Sequence, residues 1–524
     1  MILKYPIGNQ DFAGLIEDGY VYVDKTDLVY QLVNESKYVF LSRPRRFGKS
    51  LLLSTIRYYF EGRKDLFPGL KIYSLETEWR KHPVLHFSLG TVDFNNPKGL
   101  DALLENQFCK WEKKYGIRRI EGPFSERFKN IIIAAREKER EKVVVLVDEY
   151  DNPLINTLDD KRLYEYHQKL LKSIYSNLKD MDEFIRFGML TGVSRFGNMS
   201  VFSGLNHLRD ITLTDRYSTI CGFTESDIKR YLFTGVENLA MVKNISIDDT
   251  FALLKLEYDG YHFSKSLEDV YNPFSLLNSL QNREIENYWI RSGVPDFLVK
   301  KLNESKIGFT KIFGAHADSY SLAETDSAFE DPVALLFQTG YLTIKSYNPE
   351  YEEFILGMPN REVSKGFYLF LLGRYSGLRK PECSIALRKM VHKLEEGNPE
   401  EFLTSLKSFL SGISYRLNEK MTELDFERTL FVIFHLIGLD VFTEFETSNG
   451  RIDLLIRTHN FIYIIEIKLE GSAEEALNQI KEKEYSLPWE QEGKNIYKIG
   501  VNFSKHTRNI SSWIIEKNTL KNEQ

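Results

Sequence analysis

The chain has 524 residues and a mass of 61.3 kDa, more than one ordinary core holds, since domains average about 150 residues. Its 42% hydrophobic and 27% charged content is that of a folded chain, not a disordered one. Lys+Arg total 69 against Asp+Glu 75, for a net charge of −6 and a pI near 6.0. That excludes a globally basic nucleic-acid coat or a polybasic membrane binder, so any phosphate backbone must be met by local patches. Three scattered cysteines, Cys109, Cys221 and Cys383, support neither a disulfide framework nor a Cys-based zinc site. The opening MILKYPIGNQDF lacks the apolar core of a signal peptide, and apolar runs of about five residues fall far short of a membrane helix. A cytoplasmic protein without membrane contact is expected.

The predicted elements start with YVFLS (38–42), a strand leading into a basic loop and then the helical SLLLSTIRYYFEG. VLHFSL (84–89), VVVLVDE (143–149) and FIRFGMLTG (184–192) read as three more strands, separated by helices at FKNIIIAAREKEREK and near 160–180. Strands alternating with helices, nearly continuous in Val, Leu, Ile and Phe, predict a parallel sheet covered on both faces. From about 220 to 300 the pattern is helical, with Thr224 or Ser226 as N-cap. DPVALLFQTGYLTIKSYN followed by FILGMPNREVSKGFYLFLL has the helix and β-hairpin order of a winged helix, and 384–418 is helical. The last hundred residues read as a helix, ELDFERTLFVIFHLIGL, two strands in RIDLLIRTHNFIYIIEIKLE, a helix in SAEEALNQIKEKEY and a final strand, NIYKIGVNF.

SRPRRFGKS (42–50) stands between a strand and a helix, the setting of a phosphate-binding loop, where backbone N–H groups and the helix N-terminus face anionic oxygens. Gly48 permits close backbone approach, Lys49 reaches the β- and γ-phosphates, and the Ser50 hydroxyl ligates Mg²⁺. The G-x-x-x-x-G-K-[ST] pattern fails at its first position, where Arg43 replaces glycine. The loop must therefore bend differently or cradle less tightly, with the charges of Arg43, Arg45 and Arg46 as partial compensation. Downstream, VVVLVDEYD ends a strand in two acids. As in P-loop ATPases, Asp148 would hold the metal and Glu149 would polarise the attacking water. Thr191 and Ser194 fall where a γ-phosphate sensor would sit, and Arg195 would be a sensor, a finger reaching a neighbouring subunit in a homo-oligomer, or a plain surface residue.

These stretches resemble the AAA-ATPase-like family found mainly in anaerobic and gut bacteria. PIGNQDFAGLIEDGYVYVDKT (6–26), SRPRRFGKSLLLSTI (42–56), VVVLVDEYDNPLI (143–155), LTGVSRF (190–196), FSGLNHL (202–208), YDGYHF (258–263) and VYNPFSLL (270–277) carry the likeness, which covers about residues 4–280. The family itself carries the SRPRRFGKS variant. The resemblance implies ATP binding at Lys49 and Ser50 and Mg²⁺ handling at Asp148.

Near the carboxyl end, Asp453 lies in one predicted strand and Glu466-x-Lys468 in the next. Alternation puts Glu466 and Lys468 on one face, with Ile465 and Ile467 on the other. A Glu and a Lys within FIYIIEI are costly to bury without a partner or metal. Asp453 and Glu466 together would offer Mg²⁺ hard oxygen ligands, and Lys468 would hold or activate a water for attack on phosphorus. This pattern is similar to the PD-(D/E)XK nuclease superfamily over about residues 420–510. The likeness implies an auxiliary acid at Glu427, a first-strand motif at Gly450-Arg451-x-Asp453, and a Q-x₅-Y pattern at Gln479 and Tyr485. Ile452 stands where the superfamily often has proline.

The fold expected is multidomain α/β: a P-loop ATPase domain (1–215), a helical lid (216–330), a winged-helix-like and helical connector (331–418) and a restriction-endonuclease-like domain (419–524). The function expected is an ATP-regulated, Mg²⁺-dependent nuclease acting on nucleic acid, with DNA favoured, in defence or mobile-element biology. The rivals are an ATP-switched scaffold or signalling protein whose nuclease-like domain does not cut, and an ATP-dependent DNA-binding regulator.

Overall fold

The apolar runs of the first half pair side by side in one parallel sheet. In the computed structural model, β1 (Tyr38–Ser42), β2 (Val84–Ser88), β3 (Val143–Asp148), β4 (Ile185–Gly192) and the two-residue β5 (Arg209–Asp210) lie in the order β2-β3-β4-β1-β5, with every pairing parallel. The structure describes residues 3–518 apart from 91, 119–121, 196–207, 293–297, 299–300, 303, 306–311, 313, 323–331, 377–379, 417–430, 437–439, 448–449, 491, 505 and 508. Two compact units result, Met1–Ser305 with Phe313–Val363 and Lys306–Ile312 with Ser364–Gln524. Among the described residues no helix is long and apolar enough to cross a membrane.

In the first unit, the short α1 (Phe12–Glu17) and α2 (Thr26–Glu35) precede the sheet, and α3 (Lys49–Phe60) follows β1 directly. Helices α4 (Gly99–Tyr115), α5 (Phe124–Glu139) and α6 (Lys161–Tyr175) form one core with Val143, Val145 and Val147. The alternate residues Val144 and Leu146 are equally buried, and α3 also touches β3. An unbroken apolar strand needs both faces covered, and here both are.

Beyond β5, α7 (Phe233–Lys243), α8 (Ile247–Tyr258) and α9 (Pro273–Asn282) enclose a separate core around Leu232, Val236, Leu254 and Leu276. Their starts follow capping chemistry. Thr224 and Asp227 form a reciprocal capping box ahead of the layer, and Asn272 caps α9 with Pro273 in its first turn. Asp227 also pairs with Lys25 at 2.5 Å, tying this layer to the segment before α2.

The hairpin expected from the sequence is present as β7 (Thr343–Asn348) and β8 (Glu353–Gly357). It follows α10 (Pro332–Thr339) and is widened by β6 (His316–Asp318) into an antiparallel sheet of order β6-β8-β7. After β8 the chain turns helical, as α11 (Arg361–Ser376). The YDGYHF stretch fastens this hairpin: the His262 N–H donates to Thr343 at 2.8 Å, and the Asp259 carbonyl accepts from Asn360 at 2.8 Å.

The second unit holds α12 (Lys380–Glu395), α13 (Pro399–Arg416) and a mixed sheet of order β13-β12-β11-β10-β9. Strands β9 (Asp440–Thr447), β10 (Gly450–Arg457) and β11 (Phe461–Leu469) form an antiparallel meander. Helix α14 (Ala473–Glu482) then carries the chain over to β12 (Asn495–Ser504), parallel to β11. β13 (Asn509–Asn518) returns antiparallel. The sequence reading missed β9 and β13, the two edges of this sheet. An edge strand has one ladder and carries more polar residues, so its apolar signal is weak.

Two buried carboxyls in the first unit set a pH dependence. Asp259 and Glu362 are each 1% exposed, and burial pushes both up to about 7. Asp269 and Glu225 reinforce this at Asp259 while Lys255 opposes it, and Glu257 reinforces it at Glu362. In the unfolded chain both titrate near ~4. Between those values the fold binds more protons than the unfolded chain, so stability falls as pH rises and the contribution is gone above the folded value. Calorimetric melting temperatures should drop between about pH 5 and about pH 8. An Asp259→Asn/Glu362→Gln double variant should show a flatter profile.

Candidate functional site

The loop between β1 and α3 is bent at two places. Positive φ falls at Arg46 (69°) and at Gly48 (95°), not at Arg43. The missing glycine is thus not needed at position 43, and the loop turns later, as one of the two alternatives from the sequence required. Arg43 itself corrects the expectation that its charge helps cradle phosphate. Its side chain is 1% exposed and turned inward, donating to the carbonyls of Ser42 (2.9 Å), Thr212 (2.8 Å) and Tyr217 (3.2 Å). Burial lowers its pKa to about 10. Arg45 and Arg46 are exposed, with Arg46 lying 3.8 Å over the Phe274 ring.

Lys49 opens α3 and is buried. Its ammonium donates to the carbonyls of Arg43 (2.8 Å) and Pro44 (3.0 Å). Burial lowers its pKa, and Asp148 and Asp151 oppose that shift. Because β4 lies between β1 and β3, Thr191 comes level with Leu41 and donates to the Asp148 carboxylate at 2.7 Å. Glu149 follows in a left-handed conformation, φ 54°. Burial, then the charge of Asp148, push its carboxyl up, which suits a group meant to accept a proton. A Cβ at Gly90 would sit 2.1 Å from Glu149 Oε2, so a side chain there would push this carboxylate from its present place.

A cavity of about 330 Å³ opens beside these groups. Its lining includes the charged Arg45, Arg46, Lys49 and Glu149 together with the apolar Leu51, Phe223 and Leu277. Charged groups and apolar surface in one cavity match a nucleotide's phosphates and base. Its apolar lining comes from the segment 6–23, which the sequence reading quoted only as family likeness, from α3, and from the helical stretch after residue 220. Arg195, one of the expected phosphate contacts, is instead held in an ion pair with Asp210 and is 11% exposed. Ser194 is likewise engaged: Asp151, a buried residue overlooked in the sequence, accepts from its N–H and its hydroxyl, each at 2.6 Å. The acidic run VDEYD was the available signal.

The second constellation forms where β10 and β11 separate. Their ladder ends at Leu454–Ile465. One residue on, the Asp453 carboxylate, in place of a backbone carbonyl, accepts the Ile467 N–H at 2.9 Å. Glu466 is 2% exposed, and its Oε2 is buried without a hydrogen-bond partner. Burial, then the charge of Asp453, push its carboxyl up. Gln479 from α14 joins the pair of β11: its amide N–H donates to Glu466 and its carbonyl accepts from the Lys468 ammonium. The Tyr485 hydroxyl donates to the Arg451 carbonyl at 2.9 Å, beside Gly450. Asp453, Glu466, Lys468 and Gln479 are thus gathered from three elements. Glu427 lies outside the described residues.

An orphaned carboxylate oxygen next to a second carboxylate fits a hard divalent cation. Among the described residues no group of three or more His, Cys, Asp and Glu gathers for a metal, so water and substrate oxygens would complete the coordination. In the first constellation, the Ser50 hydroxyl and the Asp148 carboxylate would be the corresponding oxygen donors.

Comparison with known proteins finds a family match over the stretch that holds each constellation. Residues 6–202 match the family described as Predicted AAA-ATPase. Residues 421–513 match the PD-(D/E)XK nuclease superfamily. A protein of Azotobacter chroococcum mcd 1, described as an uncharacterized protein in the vnfD 5′ region, is 35% identical over 526 residues, spanning 98% of this chain and 99% of its own length.

A cation at Asp453 and Glu466 should stabilise the fold by mass action. Mg²⁺ or Mn²⁺ should raise the melting temperature by roughly 2–4 °C per ~1 kcal/mol of binding. Glu466→Gln, which keeps the shape and drops the charge, should abolish that rise in scanning calorimetry.

Proposed function

From the premise that this chain belongs to a family joining an AAA-ATPase-like domain to a PD-(D/E)XK nuclease superfamily domain, we propose that it is an ATP-binding and ATP-hydrolysing nuclease. Its cation is Mg²⁺ and its substrate DNA, cut under the control of the nucleotide in the bacterial cytoplasm. Defence against foreign DNA or mobile-element biology is the setting this pairing suggests. The observation that carries the reading is the Gln479 amide linking Glu466 to Lys468 beside Asp453, with one Glu466 oxygen left over.

Bound there, a divalent cation would supply Lewis-acid polarisation of the scissile phosphate. Asp453 and Glu466 offer it carboxylate oxygens. The Lys468 ammonium, steadied by the Gln479 carbonyl, orients a water toward phosphorus and stabilises the negative charge that grows there. Tyr485 braces the β10 backbone at Arg451, which keeps Asp453 level with Glu466.

At the nucleotide site, Lys49 exchanges the carbonyls of Arg43 and Pro44 for phosphate oxygens. Ser50 and Asp148 supply oxygen donors for the accompanying Mg²⁺. Glu149, with its raised pKa, takes the proton from the attacking water, and Thr191 holds Asp148 in line. The apolar lining of the cavity receives the adenine.

Two assays test this on the full-length protein. Lys49→Ala should weaken ATP binding about tenfold or more, the loss of a charge-assisted contact worth ~1.5–3 kcal/mol. Affinity within about threefold of the parent would refute the nucleotide site. Glu466→Ala and Lys468→Ala should each remove Mg²⁺-dependent cleavage across a panel of single- and double-stranded DNA and RNA, with and without ATP. Cleavage that persists in both variants would sink the nuclease reading, and cleavage indifferent to ATP would sink the control.

A further inference from the structure

The residue that breaks the phosphate-loop pattern is also the most heavily anchored one in the loop. Arg43 spans two parts of the chain far from it in sequence. One guanidinium nitrogen donates to Thr212 O at 2.8 Å, and the other to Tyr217 O at 3.2 Å. Its plane lies 4.2 Å over the Phe263 ring. Phe47 of the same loop packs edge-on against Tyr261 (4.8 Å) and Phe263 (5.3 Å), and its carbonyl accepts the Gly222 N–H at 3.1 Å. The segment 211–222 and the YDGYHF stretch therefore grip the loop at both its first and its fifth residue.

The peptide between those grips does the work at the site. The carbonyls of Arg43 and Pro44 point toward α3 and receive the Lys49 ammonium. They do so because the Arg43 side chain is drawn the other way, into the carbonyls of Thr212 and Tyr217. Glycine at this position would free the peptide to rotate and would leave those two inner carbonyls without their cation.

We propose that Arg43 is a positioning residue for nucleotide binding: its buried guanidinium replaces the loop glycine by locking the Arg43–Pro44 peptide, so that the loop N–H groups and Lys49 are preset for phosphate. Arg43→Gly would complete the G-x-x-x-x-G-K-S pattern and yet weaken the site. The inference rests on the nucleotide-site reading above, and it assigns to the YDGYHF stretch the task of holding the loop through Phe263.

The experiment is titration calorimetry of the full chain with ATP and Mg²⁺, alongside thermal melts of the same samples. Arg43→Gly should melt cooperatively yet bind ATP at least about tenfold more weakly. Binding as tight as the parent, or tighter, overturns the proposal even if the melting temperature falls, because a merely structural arginine would lower stability without changing the affinity of folded molecules. If Arg43→Gly does not fold, Arg43→Lys decides: a single ammonium cannot bridge Thr212 and Tyr217 or lie flat on Phe263, so affinity should fall about three- to tenfold. An unchanged Kd would again overturn the proposal. Lys49→Ala measured in parallel separates the two ideas. Loss in Lys49→Ala with none in the Arg43 variants sinks the positioning role alone; no loss in Lys49→Ala sinks the nucleotide site and this inference together.

Discussion

A buried arginine with carbonyl partners on two sides holds the first unit's functional end together. The Arg43 guanidinium donates to main-chain oxygens, those of Ser42, Thr212, Tyr217 and, at 3.5 Å, Ser218. Burying a cation costs several kcal/mol unless its hydrogen bonds are met. Here backbone carbonyls meet both terminal nitrogens, while Nε is buried without a partner, and the positions of those carbonyls depend on β5 and on the turn after it. The phosphate loop, the strand at the sheet edge and the 215–222 segment are therefore mutually required. Any one displaced would strand a charge inside the protein.

The same logic of a polar group placed by neighbours recurs in the second unit. Glu466 would be an expensive residue in the middle of an apolar strand; the Gln479 amide donates to it and eases that cost, while the neighbouring charge of Asp453 adds to it and pushes the carboxyl up. The arrangement leaves one oxygen of Glu466 unmatched beside a second carboxylate, a pairing that a hard divalent cation would relieve. In both units an apolar sheet supplies rigidity, and the chemistry stands where a strand ends or two strands part. That is where side chains can leave the core without the backbone losing its own partners.

How legible these sites were follows from the range of the interactions. YVFLS, VVVLV and FIYIIEI are recognisable as strands because burial on both faces demands an uninterrupted apolar run. GKS and the acids after β3 announce themselves because each is local to a strand end. The face shared by Glu466 and Lys468 follows from alternation alone. By contrast, the inward turn of Arg43 could not be foreseen, since its partners lie about 170 residues away and a basic loop ordinarily points its charges outward. The ion pair of Arg195 was not foreseen either, although its partner Asp210 is only 15 residues on, in β5. The edge strands β9 and β13 were missed because half of such a strand faces solvent and its composition resembles a loop.

Composition and periodicity along the chain were enough to specify the class of fold, and local motifs brought the candidate residues of both constellations into view, because hydrophobic alternation and strand-to-helix turns are short-range consequences of backbone geometry. Which charges face a ligand and which are structural was left to the folded state. An arginine becomes a ligand contact or a brace according to the carbonyls and rings that distant segments bring to it, and the desolvation of a buried charge is a property of the assembled core rather than of any stretch of sequence.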